Sequence, residues 1–122
     1  YYRMQYFKYR NDSDIVTELS AFREKMKKLA ELNEKYGIHG AYQNHSGNYV
    51  GASIWDVWYM LRDLDPAYSG IQFDIRHAVV EGGLSWKIDV QFVSDYIRCT
   101  ALKDFYWEKR EDGQWRIKNY RP

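Results

Sequence analysis

The sequence predicts a parallel α/β fold amounting to about half of an eight-stranded (β/α)8 barrel. Three observations lead there. Strand-like and helix-like segments alternate along the chain, and polar strand ends fall at Lys8, Gln43, Asp74 and Lys103, separated by 35, 31 and 29 residues. A strand, helix, strand unit of roughly 30 residues implies parallel strands joined by right-handed crossovers, with every carboxyl end on one rim of the sheet. The rival, an open doubly wound sheet, usually carries a glycine-rich phosphate loop after a strand, and none is present. A complete barrel takes about 250 residues, and this chain has 122.

The chain opens in a strand-like run, Tyr1-Tyr2-Arg3-Met4-Gln5-Tyr6-Phe7. Asn11-Asp12-Ser13-Asp14 supplies helix-start chemistry, and Ile15, Leu19, Phe22, Met26 and Leu29 follow at steps of four and three, the pattern of an amphipathic helix. Gly37 suits the left-handed residue that ends it. Residues 38–44 read as the second strand, with small Gly40 and Ala41 where a neighbour can approach closely. Ser53 with Asp56 three residues on reads as a helix cap, followed by Ile54, Val57, Trp58, Leu61 and Leu64 at helical spacing, closed by Pro66. Residues 70–75 read as the third strand, Glu81-Gly82-Gly83 as a loop, and Ser85 as the cap of a helix running to about Ser94. Residues 97–102 read as the fourth strand, and Asp112-Gly113 between two aromatic runs predicts a hairpin from about Phe105 to Lys118. The last residues, Asn119-Tyr120-Arg121-Pro122, read as a turn. With an uncapped opening strand and no closing element, residues 1–122 are expected to be one domain incomplete at both ends.

Composition narrows the function classes. Eighteen basic and 17 acidic residues leave a net charge of +1, too little field to hold a nucleic acid or an anionic membrane by charge alone. There is no apolar run of about 18 residues to span a bilayer and no signal-like leader. The single cysteine, Cys99, cannot form an internal disulfide. The expected location is the cytoplasm, with the periplasm left open because the N-terminus reads as missing. Aromatic residues are the unusual feature, at 18% of the chain, with twelve Tyr and five Trp. Their flat apolar faces with polar edges suit a wet pocket that stacks on sugar rings or bases; covering irregular surface between helices and sheet is the alternative.

The predicted rim gathers Gln43, Asn44 and His45 from the second strand, Asp74 and His77 from the third, and Lys103 and Asp104 from the fourth. Arg3 or Lys8 joins them from the first. Ligands of parallel α/β folds bind at such strand ends. Each residue also has a structural reading: His77 or His45 can bond the loop backbone, Asp74 can cap the turn after its strand, and Lys103 with Asp104 can be an exposed ion pair. His39, at the opposite end of its strand, reads as structural.

Four short motifs, Lys35-Tyr36-Gly37-Ile38, Tyr42-Gln43-Asn44-His45, Phe73-Asp74-Ile75-Arg76-His77-Ala78 and Leu102-Lys103-Asp104-Phe105, resemble in order and spacing the sugar phosphate isomerase/epimerase family, the xylose-isomerase-like TIM barrels. The resemblance implies that the chain runs from the fourth barrel strand to just past the seventh. It also implies a divalent ion (Mn, Mg, Zn or Co) held by a carboxylate ending the fifth strand, an Asp ending the sixth, a His on the seventh and a Glu on the eighth. Asp74 matches its ligand, and His77 matches a histidine that contacts substrate hydroxyls. The fifth-strand glutamate is replaced by Gln43 and the seventh-strand histidine by Ala101. A divalent site would therefore lean on Asp74, Gln43 as a neutral carbonyl ligand, Asp104 and an eighth-strand residue.

The expected function is isomerisation or epimerisation of a sugar or keto-sugar by proton transfer beside a carbonyl. Asp74 is the expected metal ligand or base, His77 and Lys103 are the other expected catalytic residues, and Lys103 polarises the oxygen where metal is weak or missing. Gln43, Asn44, His45, Arg3 and Trp107 are the expected substrate-binding residues. The alternative is a metal-free barrel that only binds carbohydrate, stacking it on Trp55, Trp86, Trp107 and tyrosines. A DNA-repair endonuclease, the third reading, is disfavoured by the near-neutral charge and missing ligands. The hairpin is expected to wall the pocket or to make an oligomer contact. The expected partners are a small carbohydrate, the remainder of the barrel and a second copy of the chain; four parallel strands with two open edges are not expected to be a stable monomer.

Overall fold

The computed structural model describes residues 1–119; the turn read through Tyr120, Arg121 and Pro122 lies outside them. Four parallel strands form one sheet in the order of the chain: β1 (Tyr2–Arg3), β2 (Gly40–Gln43), β3 (Ser69–Asp74) and β4 (Ile97–Ala101). Sequential order with parallel pairing is what consecutive βα units of a barrel wall produce. The helices α1 (Ile15–Tyr36), α2 (Ile54–Leu61), α3 (Ile75–Gly82) and α4 (Trp86–Phe92) fill the crossovers. A separate antiparallel hairpin, β5 (Phe105–Lys109) and β6 (Trp115–Asn119), follows. No helix among the described residues is long and apolar enough to cross a membrane.

The first strand is shorter than the 1–7 run suggests, because beyond Arg3 the chain leaves the sheet edge and folds across the next loop. Lys8 makes an isolated antiparallel bridge with Tyr49. Tyr9 donates to the Asn48 carbonyl at 2.9 Å and Val50 to that of Phe7 at 3.1 Å. Buried Tyr42 fastens both loops: its hydroxyl donates to the Val50 carbonyl at 3.0 Å and accepts the Phe7 N–H at 3.1 Å.

In α1 the Asp14 carboxylate caps the Val16 N–H, and Gly37 at φ 61° ends the helix, with its N–H and that of Ile38 returning to Glu34 and Asn33. Met26 is fully buried, as its place in the apolar series demands, whereas Ile15 is exposed and Glu18 is buried in its stead. Gly40 carries no side chain because a Cβ there would collide with Met4 Cε, the close approach expected of the second strand. Ser53 occupies the cap position of α2, but its side chain makes no capping bond, so the predicted cap is backbone only.

The largest departure lies after β3. Helix α3 begins at once at Ile75, with the Asp74 carboxylate accepting the His77 N–H at 3.3 Å. The predicted Ser85-capped helix is instead a 3-10 turn (Gly83–Ser85) leading into α4, and Ser85 Oγ turns back to the Gly82 carbonyl. The two glycines, read as a loop, mark the C-terminal end of a helix; Gly83 sits at φ 54°.

The core lies between sheet and helices and is built from Met4, Met26, Tyr42, Val57, Met60, Leu61, Ile71 and Phe73, each at most 1% exposed. Ile71 and Phe73 thus face the helices, which by alternation leaves Gln72 and Asp74 on the other face, with Ala41 and Gln43 beside them. Between Ile71 and Gln72 the pairing slips: Ile71 faces Ile97 but Gln72 faces Cys99, so Arg98 is a surplus residue. Its guanidinium donates to the carbonyls of Pro66, Ile97 and Asp95. Beyond the slip, Asp74 stands opposite Ala101.

Candidate functional site

Asp74 closes β3 and is the centre of the rim, with no solvent exposure. Its Oδ2 accepts the Lys103 ammonium at 2.5 Å and the Gln43 amide Nε2 at 2.6 Å. An ionised carboxylate can only accept, which fixes the Gln43 amide with its nitrogen toward Asp74; the Gln43 Oε1 then accepts the Tyr6 hydroxyl at 2.6 Å. Asn44 clamps the backbone from the other side, donating to the Asp74 carbonyl at 3.0 Å while its Oδ1 takes the Asp74 N–H at 2.7 Å. Burial works against charge on Asp74, but hydrogen bonds from Lys103 and from the His77 N–H, with the Lys103 charge, outweigh it and hold the carboxyl below its ordinary range.

His77 projects from the first turn of α3 and is 2% exposed. Its Nδ1 meets Ser46 Oγ at 2.7 Å, and its Nε2 lies 3.3 Å from the Arg76 guanidinium and 3.5 Å from Asp74 Oδ2. Burial pushes the imidazole down to about 4 against the opposing pull of Asp74, so the ring is neutral at pH 7. His45 packs against His77 with ring centres 4.1 Å apart and the planes tilted, and touches Tyr49 at 4.5 Å and Tyr6 at 5.0 Å. Its Nδ1 donates to the Ser46 carbonyl at 3.0 Å.

Of the residues expected at this site, the structure gathers Gln43, Asn44, His45, Asp74, His77 and Lys103 by direct contact. Arg3 joins at second remove, its guanidinium lying 5.4 Å from the centre of the Tyr6 ring. The structural readings also hold in part, since Asp74 caps α3 as well as binding Lys103. The exposed Lys103–Asp104 ion pair is replaced: Lys103 turns to Asp74, and Asp104 is exposed with its carboxylate on the Phe105 N–H at 2.8 Å. Trp107 is 49% exposed on the hairpin and meets Phe105 edge to face. Trp55 meets Trp58 and Phe92 between α2 and α4 while staying 58% exposed, and Trp86 packs, partly buried, on the core. His39 is structural as read, its Nδ1 on the Ala67 carbonyl at 2.8 Å.

Sequence reasoning missed Tyr6, Ser46 and Tyr49. Tyr6 was absorbed into an overlong first strand, and ending that strand at Arg3 would have placed it in the loop above the rim. A surface depression of about 760 Å³ beside Glu108, Arg110 and Arg116 lies on the hairpin and includes none of the rim residues.

A divalent ion here would need converging lone pairs. Asp74 Oδ2 already has two donors, Gln43 presents N–H instead of its carbonyl oxygen, Ala101 has no ligand atom, and Asp104 faces the Phe105 amide. Among the described residues no three His, Cys, Asp or Glu side chains come together to hold a metal. These residues do not fit a divalent ion.

Residues 5–119 match the family model described as xylose isomerase-like TIM barrel. A solved structure, that of a D-tagatose 3-epimerase-like protein, superposes with a TM-score of 0.64 at 21% identity, over 84% of this chain. The chain spans 40% of that protein's length. No curated protein matches.

Proposed function

The chain belongs to the xylose isomerase-like TIM barrel family, and from that premise we propose that its rim is part of the active site of a sugar or keto-sugar isomerase or epimerase. The carrying observation is the Lys103 ammonium seated on a buried, ionised Asp74 where the polar strand ends converge. Proton transfer beside a carbonyl needs a positive group on the oxygen, a base near the carbon and donors for the hydroxyls. Lys103, 41% exposed at its side chain, is the member of the pair that a ligand reaches. It takes the carbonyl oxygen and stabilises the oxyanion that forms when the adjacent carbon loses its proton. As Lys103 moves onto that oxygen it uncovers Asp74 Oδ2, the proposed base, which accepts the proton and returns it to a carbon of the same substrate. His45 and His77 hold hydroxyls, with Tyr6 and Arg3 at the edge, and Trp107 belongs to the pocket wall. The likeness to an epimerase-like protein supports the substrate class.

One observation favours the second reading, carbohydrate binding without turnover: Asp74 Oδ2 already holds two donors, Lys103 and Gln43, so the base is covered at rest. Incubation of the protein with a panel of ketoses and aldoses in deuterated water separates the two. Carbon-bound deuterium in recovered sugar is the expected result. Calorimetric sugar binding with no exchange would replace the enzyme by the binding module.

A further inference from the structure

Asp74 has a counter-charge, and its Oδ2 has two donors, without an ion. A buried carboxylate needs a compensating positive charge and filled lone pairs. Here Oδ2 receives a full charge from Lys103 at 2.5 Å and an amide N–H from Gln43 at 2.6 Å, and Oδ1 receives the His77 N–H at 3.3 Å. Gln43 is itself 1% exposed and has its own oxygen filled by Tyr6, so its amide is held in the donating orientation. A carboxylate in place of that amide would set two anionic oxygens 2.6 Å apart, a separation that only a shared proton or a cation makes tolerable. Glutamine converts the contact into a hydrogen bond. Ala101, opposite Asp74 on the neighbouring strand, leaves the adjoining register position with no ligand atom.

We infer that the Lys103 ammonium, with the Gln43 amide, occupies the place of a divalent ion, so that this rim presents a fixed organic cation to a substrate oxygen and takes no metal. The two features support each other. Lysine alone would leave one lone pair of Oδ2 unfilled, and glutamine alone would leave the buried charge without a counter-ion. The consequence is a site whose electrophile is part of the chain and cannot be removed by a chelator. The inference concerns the ion and not the sugar, and it stands if the proposed substrate class fails.

The test is a titration of the purified protein with MnCl2, free Mn2+ being followed by its paramagnetic resonance. Wild type is expected to take up none at concentrations up to about 1 mM, the range of weak association. One ion bound per chain at micromolar concentration would overturn the inference. The double variant Gln43→Glu with Lys103→Ala restores a vacant pair of carboxylates and is expected to bind Mn2+ at least about tenfold more tightly than wild type. A variant that is folded by circular dichroism and binds no more tightly than wild type would also overturn it. Should the double variant not fold, Lys103→Met decides, because it keeps the stem and removes only the charge. Its melting temperature is expected below that of wild type and raised by Mn2+, which leaves wild type unmoved; a melting temperature equal to wild type would show that Asp74 needs no cation.

Discussion

Two carboxylates in this chain are nearly sealed from water, Glu18 at 7% exposure and Asp74 at 0%, and both are held below their ordinary range. They are held by different kinds of structure. Glu18 takes the Ser13 hydroxyl at 2.6 Å, the Arg10 N–H at 3.0 Å and the Arg10 Nε at 2.5 Å, all within eight residues of itself. Asp74 takes Gln43 from 31 residues before it and Lys103 from 29 residues after it. The first arrangement closes one turn between a loop and α1. The second exists only when three strand ends meet, so its chemistry reports the assembly of the sheet. Partners remote in sequence distinguish the acid at the rim from an acid that fastens a loop.

Substitutions sharpen that contrast, beginning with the one of greatest effect. Asp74→Ala leaves the Gln43 amide and the Lys103 ammonium without their acceptor and removes the cap of α3. It is expected to cost about 3 kcal/mol in urea unfolding, at the low end for a broken buried pair because Lys103 is partly in water. It should also abolish deuterium exchange into sugar. Tyr42→Phe strips the hydroxyl that joins the two loops above the rim, leaving the Phe7 N–H and the Val50 carbonyl unfilled, and is expected to cost about 2 kcal/mol in the same measurement.

Glu18→Gln is expected to change acid stability and leave ligand affinity within about twofold, because Glu18 touches none of the rim residues. Hydrogen bonds from Ser13 and Arg10 pull the Glu18 carboxyl down to about 2 from 4.5. The group therefore contributes stability that is whole above pH 4.5 and is lost as pH falls toward about 2. Urea midpoints measured across that window should fall more steeply for wild type than for Glu18→Gln. The smallest effect on stability belongs to Trp107→Ala, within about 0.5 kcal/mol because the ring is half exposed. Its expected effect is weaker sugar binding or altered assembly; if calorimetry and sedimentation both show none, Trp107 belongs to neither the pocket wall nor an interface.

Much of the frame was legible because it is carried by local signals. The apolar series of α1, the left-handed Gly37, the Asp112-Gly113 hairpin and the 30-residue rhythm each leave a mark in the sequence. The rhythm alone puts Gln43, Asp74 and Lys103 on one rim. What stayed hidden was set by contacts distant in the chain. Tyr6 left the strand because Tyr42 and Tyr49 draw its segment over the next loop. Helix α3 begins at Ile75 because Asp74 caps it, a signal masked by the glycine pair that ends the same helix. Two polar side chains side by side, Lys103 and Asp104, suggested an ion pair where adjacent residues of an extended segment point apart.

The surplus residue Arg98 sets a limit on how this protein can vary. From Gln72 onward, the partners of β3 are counted on β4 with one residue more than an even ladder would need. An even ladder through the same residues would bring Thr100, not Ala101, opposite Asp74, and would reverse the facing of every side chain that continues the strand toward Lys103. The slip therefore holds one residue in reserve. Loss of Arg98 can be absorbed by flattening the bulge, since Cys99 would then follow Ile97 directly and still meet Gln72. A gain of one residue at the same place has no such outlet and needs a wider bulge to keep Lys103 where it is. Lineages of this chain should accordingly tolerate insertions around the hairpin tip at Asp112-Gly113, while between Ile97 and Lys103 they shorten by one residue more readily than they lengthen.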